Sequence, residues 1–210
     1  MIVLKYEKSG RARFISHIDL LKHTERTIRR AGITVKFSNG FSPHPLLYFS
    51  APLALGVSSS AEYLALDTDM SGEEVLQRYN SACQDGLRAS GFFKCEKNPN
   101  LQGKVVCADY VFPVPYAKID LSDGFKISYK KKGEIVEEDV GSKIYDVIDE
   151  DGKLCLRLAT GNTNLRPDRL VDELNARFSS NMCATDVLKI RQFFLIDGAY
   201  VDVDDVLNTL

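Results

Sequence analysis

The chain has 210 residues, of which 44% are hydrophobic and 27% charged, and its formal net charge is −2. This length fits one large domain or two of about 100 residues, and the composition predicts a globular protein with buried cores. No apolar run approaches the roughly 20 residues needed to cross a bilayer, and the apolar start at residues 1–4 is too short for a signal peptide. The five cysteines include no Cys-x-x-Cys pair, which argues against a disulfide framework, a zinc site or an iron–sulfur cluster. We therefore expect a cytoplasmic protein with reduced thiols and no membrane contact.

The first half of the chain alternates strands and helices in a simple order. Strands are predicted at 1–6, 33–37, 46–54, 61–67 and 87–96, and helices at 17–31 and 71–83. Residues 38–45 are predicted to form a loop, because their Asn-Gly pair and two prolines cannot continue a strand ladder. The order strand–helix–strand–strand–helix–strand predicts a ferredoxin-like sandwich, with two helices on one face of an antiparallel sheet.

The first helix carries unusually complete end signals. Ser16 is a good N-cap, and Asp19 three residues later completes a capping-box pattern. Arg29 and Arg30 suit the negative end of the helix dipole, and Gly32 can adopt the left-handed conformation that ends a helix. The sequence therefore predicts a stable helix whose bounds are well defined.

The second half repeats much of this order. Strands are predicted at 105–114, 154–159 and 185–195, a hairpin at 125–140 with a Lys-rich tip at 130–133, and a helix at 167–178. The helix that would follow its first strand is shortened to about 117–123 or lost. Residues 98–103 are the best linker candidate. We predict an α+β fold of two tandem ferredoxin-like (βαββαβ-type) sandwiches, at 1–97 and 104–210.

Positive charge is concentrated at the start of the chain. Residues 1–50 hold 9 Lys/Arg against 3 Asp/Glu, and residues 51–210 hold 18 against 26. Six cations lie before or on the first helix, namely Arg11, Arg13, Lys22, Arg26, Arg29 and Arg30. Lys22, Arg26 and Arg29 are spaced so that they form one stripe away from the sheet, which suits a phosphate backbone. The alternative is an ordinary solvated helix face, in which Glu25 pairs with Arg29.

The loop after this helix combines aromatic and polar side chains. Phe41 lies in it with Asn39 and His44, and three further aromatic residues flank it, namely Phe37, Tyr48 and Phe49. Aromatic faces beside cations are what single-stranded nucleic acid requires, because bases stack on them. The alternative places Phe37 and Phe49 in the sheet core and leaves only Phe41 exposed. His44 between two prolines is open to several roles: an acid–base group, a stacking ring, a ligand or a hydrogen-bonded loop anchor.

Other chemistry finds little support. His17 and His23 are six residues apart, about 120° around a helix, so they do not share a face that could hold a metal. The phosphate-binding glycine loops and local nucleophile signatures are absent from the sequence. Arg166 precedes a helix N-terminus and suits an anion, although an ordinary strand-to-helix connection explains it as well.

Several segments together resemble a known family. They are Ala-Arg-Phe-Ile-Ser-His-Ile-Asp-Leu at 12–20, Ser-Asn-Gly-Phe-Ser-Pro-His-Pro at 38–45, Leu-Gly-Val-Ser at 55–58, Leu-Arg-Pro at 165–167 and Ile-Arg at 190–191. This combination resembles the radical SAM-linked protein family, a bacterial domain of unknown function that occurs alone or fused behind cobalamin-type radical SAM enzymes. The resemblance implies a stand-alone accessory protein that recognises RNA, or an RNA-linked substrate, for a separate radical SAM enzyme. One departure is that Ile190 stands where the family often has His before the Arg.

These features lead to two hypotheses. In the first, the protein is an RNA-binding accessory with no cofactor and no independent catalytic activity, and its contacts are Arg11, Arg13, Lys22, Arg26, Arg29, Arg30, Phe41 and His44. In the second, it is a protein-interaction module or a pocket for a small anionic ligand, docked on the radical SAM partner and completing its active site. The pocket residues of the second hypothesis are Arg13, His17, Asn39, His44, Arg166 and Arg191. An open cationic surface favours the first hypothesis, and burial of Arg13 and His17 in a concave site favours the second.

Overall fold

The structure is a computed structural model that describes residues 1–131 and 133–210. Its strands are β1 (Ile2–Lys8), β2 (Leu47–Phe49), β3 (Ser58–Leu66), β4 (Ala89–Lys94), β5 (Val105–Pro115), β6 (Lys126–Lys131), β7 (Glu134–Asp139), β8 (Ile144–Glu150), β9 (Lys153–Ala159), β10 (Leu188–Ile196) and β11 (Ala199–Asp202). Its α-helices are α1 (His17–Arg30), α2 (Gly72–Ala82), α3 (Leu101–Lys104), α4 (Val171–Phe178) and α5 (Val203–Asn208). The α+β class predicted from the sequence is confirmed.

One large mixed sheet runs through both halves of the chain. Its strand order is β4-β1-β3-β10-β5-β9-β8, with β2 added to β3 and β11 added to β10, while β6 and β7 form a separate hairpin. The first half contributes the order β4-β1-β3-β2, and the second half contributes β10-β5-β9-β8. The halves meet where β3 and β10 pair in parallel, with Ser58 opposite Leu188 and Ser59 opposite Lys189. This junction brings side chains from both halves to one place.

Three apolar clusters hold the layers together. In the first half, α1 and α2 cover a sheet face that includes Leu4 and Leu64. In the second half, α4 and the β6–β7 hairpin cover a core that includes Phe112. A third cluster, around Tyr63 and Leu101, lies on the reverse face of the first half beneath α5 and α3. Both faces of the first half are therefore covered by helices.

The predicted first helix is confirmed, and its cap differs in one detail. The Ser16 hydroxyl oxygen accepts a hydrogen bond from the Asp19 backbone N–H at 3.2 Å, as predicted. The Asp19 carboxylate accepts from the Ser16 hydroxyl at 2.7 Å instead of reaching the backbone N–H that completes a capping box. Gly32 follows with φ +62°, the left-handed conformation expected at the helix end.

Two predicted strands around the loop are shorter in the structure. Residues 33–37 form no strand beyond the single bridge between Phe37 and Pro45. The strand predicted at 46–54 is reduced to β2, which pairs with the end of β3, while the start of β3 pairs with β10. Pro45 and Pro52 lack the N–H needed for a ladder and limit β2 on both sides.

The second half contains elements that the patterns did not predict. Residues 117–123 form no helix, and the β6–β7 hairpin stands between β5 and β8 in its place. The hairpin itself was predicted, although its tip at 130–133 includes residue 132, which lies outside the described residues. Strands β8 and β11 were missed, although each joins a hairpin through an Asp-Gly turn, at Asp151–Gly152 and Asp197–Gly198, with positive φ at all four residues. Asp-Gly is a strong signal for a two-residue hairpin turn.

Candidate functional site

The outer face of α1 is an open cationic surface. Lys22, Arg26 and Arg29 are exposed on the helix, and Arg11 is exposed just before it. None of the four lies within ion-pair distance of a carboxylate in the described part of the chain, and the Glu25–Arg29 pair expected for an ordinary helix face does not form. Four like charges without local neutralisation attract anions over a distance of about 8–10 Å at physiological salt. We call these four residues the basic face.

The other two predicted cations are engaged by the protein itself. Arg13 is half-buried, and its Nη1 donates a hydrogen bond to the Thr185 carbonyl at 3.0 Å. Arg30 donates from Nη2 to the Thr27 hydroxyl and to the Ala82 carbonyl, both at 3.1 Å. These contacts link the start of α1 to the second half and the end of α1 to α2. Arg13 and Arg30 therefore brace the fold, and the basic face consists of the remaining four.

The loop at 38–44 is closed at its base by its own hydrogen bonds. The Ser38 backbone N–H donates to the His44 carbonyl at 2.9 Å, and the His44 N–H donates to the Ser38 hydroxyl oxygen at 3.1 Å. The same hydroxyl lies 2.9 Å from His44 Nδ1. His44 thus anchors the loop, one of the roles that the sequence left open. Asn39 is exposed near the tip, and Phe41 is fully exposed there.

The loop and the end of α1 lie at the same end of the sheet. The chain returns from α1 to the sheet at Lys36, whose backbone N–H donates to the Asp67 carbonyl at 2.8 Å, just beyond the end of β3. Residues 38–44 project from that point. The other aromatic residues divide as follows: Phe49 is buried, Tyr48 is half-buried and Phe37 is 54% exposed. The sheet-core interpretation is therefore right for Phe49 and wrong for Phe37.

His17 lies at a concave site at the other end of α1. It is half-buried at the first helical position, and its ring contacts the Phe49 ring edge-to-face, with centroids 6.1 Å apart. The two rings line a small, narrow cavity and also a cleft of about 190 Å³. Burial lowers the pKa of His17, and the positive charge of Lys8 lowers it further. Both effects favour the neutral imidazole, and His17 lines the cavity as well as the cleft.

The remaining predicted pocket residues do not join His17. Arg166 is exposed and forms a bidentate ion pair with Asp168, at 3.0 and 2.6 Å. Arg191 lies on the second half of the sheet, where it pairs with Asp109 and Glu150. Asn39 belongs to the exposed loop tip. The structure thus places these three residues in separate surroundings, none of which is the His17 cavity.

The cavity is lined by charged residues that the sequence patterns did not single out. Lys8 and Glu62 line it, and Lys189 pairs with Glu62 at 2.5 Å. A signal was present in β1, whose residues alternate between faces so that Lys8 follows Ile2, Leu4 and Tyr6 on the face covered by α1 and α2. A lysine that continues such an apolar series is either exposed beyond the end of the sheet or buried with contacts that compensate its charge.

Residues 1–131 and 133–210 contain no group of three or more His, Cys, Asp or Glu side chains placed to hold a metal ion. Within the same residues, no helix has the length and apolar character needed to span a bilayer.

Comparison with known proteins gives a family. Over residues 1–167 the chain matches the family described as "Uncharacterized protein conserved in bacteria (DUF2344)", and it belongs to that family. A search of curated proteins finds none that matches.

Proposed function

We propose that this member of an uncharacterized bacterial family is an accessory protein that binds single-stranded RNA. The observation that carries the proposal is the basic face, because Arg11, Lys22, Arg26 and Arg29 are exposed and have no carboxylate partner in the described structure. Lysine and arginine side chains in this state neutralise phosphates and release condensed counterions, which provides sequence-independent affinity. The charge balance of residues 1–50 supports the same partner.

The loop at 38–44 supplies a second kind of contact. An exposed phenylalanine at the tip of a loop that is closed at its base loses little conformational entropy when a partner contacts it. A nucleobase is a suitable partner, because every base has a flat face that stacks on an aromatic ring. In the proposal, Phe41 stacks on a base while the basic face follows the phosphates. Asn39 is near enough to the tip to hydrogen-bond a base edge.

The partner enzyme and the finer fold are part of the same proposal. The resemblance at 12–20 and 38–45 supports a separate radical SAM enzyme as partner, with no cofactor and no independent catalytic activity in this chain. The two strand orders, β4-β1-β3-β2 and β10-β5-β9-β8, support two ferredoxin-like units at 1–97 and 104–210. The second unit lacks its first helix.

A second candidate function is protein docking, and exposed apolar side chains favour it. Phe14, Ile18 and Leu55 are each more than half exposed. The Phe14 ring also lies close to Gly56, the neighbour of Leu55. Clustered apolar side chains at a surface are typical of protein contacts. This surface would bind the radical SAM enzyme while the basic face remains available to RNA.

Salt dependence of RNA binding tests the proposal directly. A fluorescently labelled, unstructured 20-nucleotide RNA is titrated with the protein at 50 and 200 mM salt, and anisotropy is measured. Four phosphate contacts predict a slope of about −2.8 in log affinity against log salt, so the affinity should fall roughly 50-fold over this range. Crosslinking to total cellular RNA then identifies the bound class. Absence of binding at 50 mM salt, or binding that does not respond to salt, would contradict the proposal.

Phe41→Ala tests the stacking contact separately. Loss of one base stack costs about 1–3 kcal/mol, so the RNA affinity should fall about 5- to 150-fold. The free energy of unfolding should change by less than about 0.5 kcal/mol, because the ring is fully exposed. Phe14→Ala, which removes an exposed ring outside the loop, is the matched control and should bind RNA normally. Equal losses of RNA affinity in the two variants would show that Phe41 has no specific role in binding.

A further inference from the structure

The buried charges at the junction of the two halves do not balance. Lys8 and Lys189 are each 2% exposed, and Glu62 is 3% exposed. Glu62 is paired with Lys189, whereas the Lys8 ammonium donates to the Ile15 carbonyl at 2.8 Å and has no carboxylate partner of its own in the described structure. With both lysines protonated, the group has one excess positive charge. A buried charge without a counterion is costly, so such a site favours an anion or a neutral lysine.

Strand pairing explains how the two lysines come together. Ser59 in β3 lies opposite Lys8 in β1 and opposite Lys189 in β10. Neighbouring strands are about 4.8 Å apart, so the backbones of the two lysines are separated by only about 10 Å. Both lysine side chains therefore share the environment of Glu62. Burial lowers the pKa of Lys8, and Glu62 opposes this change while Lys189 reinforces it.

The cavity beside Lys8 has a defined shape. It is narrow and partly open, it has room for about one water-sized group, and Ser50 and Tyr6 line it together with Lys8 and Glu62. His17 and Phe49 line both this cavity and the cleft outside, so the two spaces lie side by side. The N-terminus of α1 begins at His17 and adds the positive end of the helix dipole to the same place. Lys8 and the helix dipole favour a negative charge in this cavity, whereas the Glu62 carboxylate opposes it and is itself offset by Lys189.

We propose that the cavity beside Lys8 is an anion subsite. It binds one anionic oxygen of a carboxylate or phosphate group, and the small molecule that carries this group lies in the cleft outside His17. The cleft suits the body of such a ligand, because it combines the amide side chains of Asn98, Asn100 and Gln102 with the apolar side chains of Leu21 and Leu47. The cavity admits an oxygen and excludes a larger group. This inference does not depend on RNA binding by the basic face.

Binding of small anions tests the inference. Inorganic phosphate, acetate, adenosine 5′-monophosphate and adenosine are each titrated into the protein and followed by NMR. We expect phosphate or acetate to shift the imidazole signals of His17 and the signals of residues around Phe49 in a saturable way. A response to acetate alone assigns a carboxylate ligand, and a response to phosphate alone assigns a phosphate ligand. Tighter binding of the monophosphate, with no response to adenosine, would show that the cleft holds the rest of the ligand.

Two variants test whether anion binding depends on Lys8 and is independent of RNA binding. Lys8→Met removes the excess charge and keeps an unbranched side chain that is one heavy atom shorter, and it should weaken anion binding at least 10-fold. Lys22→Met removes an exposed cation of α1 and should leave anion binding unchanged while weakening RNA binding, so the two proposals can fail separately. Saturable shifts that are absent from His17 in the wild-type protein would overturn the inference without any variant. Unchanged phosphate and acetate affinity in a folded Lys8→Met protein would overturn it as well.

Discussion

Replacing Lys22, Arg26 and Arg29 by glutamine is expected to lower RNA affinity about 10- to 100-fold. The three side chains are exposed and have no carboxylate partner in the described structure, so their charge is available to phosphates. Each exposed ionic contact contributes up to about 1 kcal/mol, and the three together account for the expected loss. The salt slope should become shallower by about 2 in the same variant, because three fewer counterions are released. Both quantities are measured by anisotropy with the labelled 20-nucleotide RNA.

A second triple variant controls for total charge. Lys94, Lys97 and Lys104 are exposed outside the basic face, and their replacement by glutamine changes the net charge by the same amount. We expect this protein to retain most of the affinity and the salt slope. Equal losses in both triple variants would show that RNA responds to total charge and not to the basic face. Arg30 is excluded from the test, because its loss would also remove the hydrogen bond that joins α1 to α2.

The first helix was predictable because its signals are local. Ser16 and Asp19 are within one helical turn of each other, and Gly32 ends the helix whatever the rest of the chain does. The loop at 38–45 was predictable for the same reason, since proline and Asn-Gly restrict the backbone wherever they occur. The position of Lys22, Arg26 and Arg29 on the side of α1 away from the sheet also follows from helical spacing. Local patterns thus place these three cations together, whereas the hydrogen bonds of Arg13 and Arg30 to distant carbonyls required the structure.

The charged cavity was not predictable, because its residues meet only through distant strand pairing. Lys8, Glu62 and Lys189 belong to β1, β3 and β10, and the parallel contact between β3 and β10 joins the two halves of the chain. No periodicity within one segment indicates such a contact. The ion pairs of Arg191 are similar, because the partner Asp109 lies on β5. The sequence grouped Asn39, Arg166 and Arg191 with His17, and the structure places those three side chains elsewhere.

α1 links the basic face and the anion subsite. Its outer side carries the exposed cations, and its first residue, His17, lines the cavity beside Lys8. Its position is fixed at both ends by the arginines that do not belong to the basic face, Arg13 through the Thr185 carbonyl and Arg30 through the Ala82 carbonyl. The helix is therefore held in place by contacts with both halves of the chain. Such a helix presents its charges with little loss of entropy on binding.

Asp109→Asn is expected to destabilise the protein by about 3–5 kcal/mol, the cost of removing one partner from a buried ion pair. The Asp109 side chain is fully buried and accepts hydrogen bonds from two arginines. Arg157 binds it through Nε and Nη2, at 2.8 and 3.1 Å, and Arg191 binds it through Nε at 3.0 Å. Without the carboxylate charge, two guanidinium groups remain close together on β9 and β10. Chemical denaturation measures the effect as a shift of the midpoint at constant slope.

Glu150→Gln is the matched control, because Glu150 contacts the same Arg191 at 2.5 Å but its side chain is 29% exposed. We expect Glu150→Gln to lower the free energy of unfolding by at most about 1 kcal/mol, as for other ion pairs near the surface. The difference between the two variants measures what burial adds to the same kind of interaction. If Asp109→Asn were no more costly than Glu150→Gln, the arginines would be stabilised chiefly by their other contacts, such as the stacking of the Arg157 guanidinium on the Phe193 ring at 3.9 Å. The second half of the sheet would then be held together by its apolar core and not by its charges.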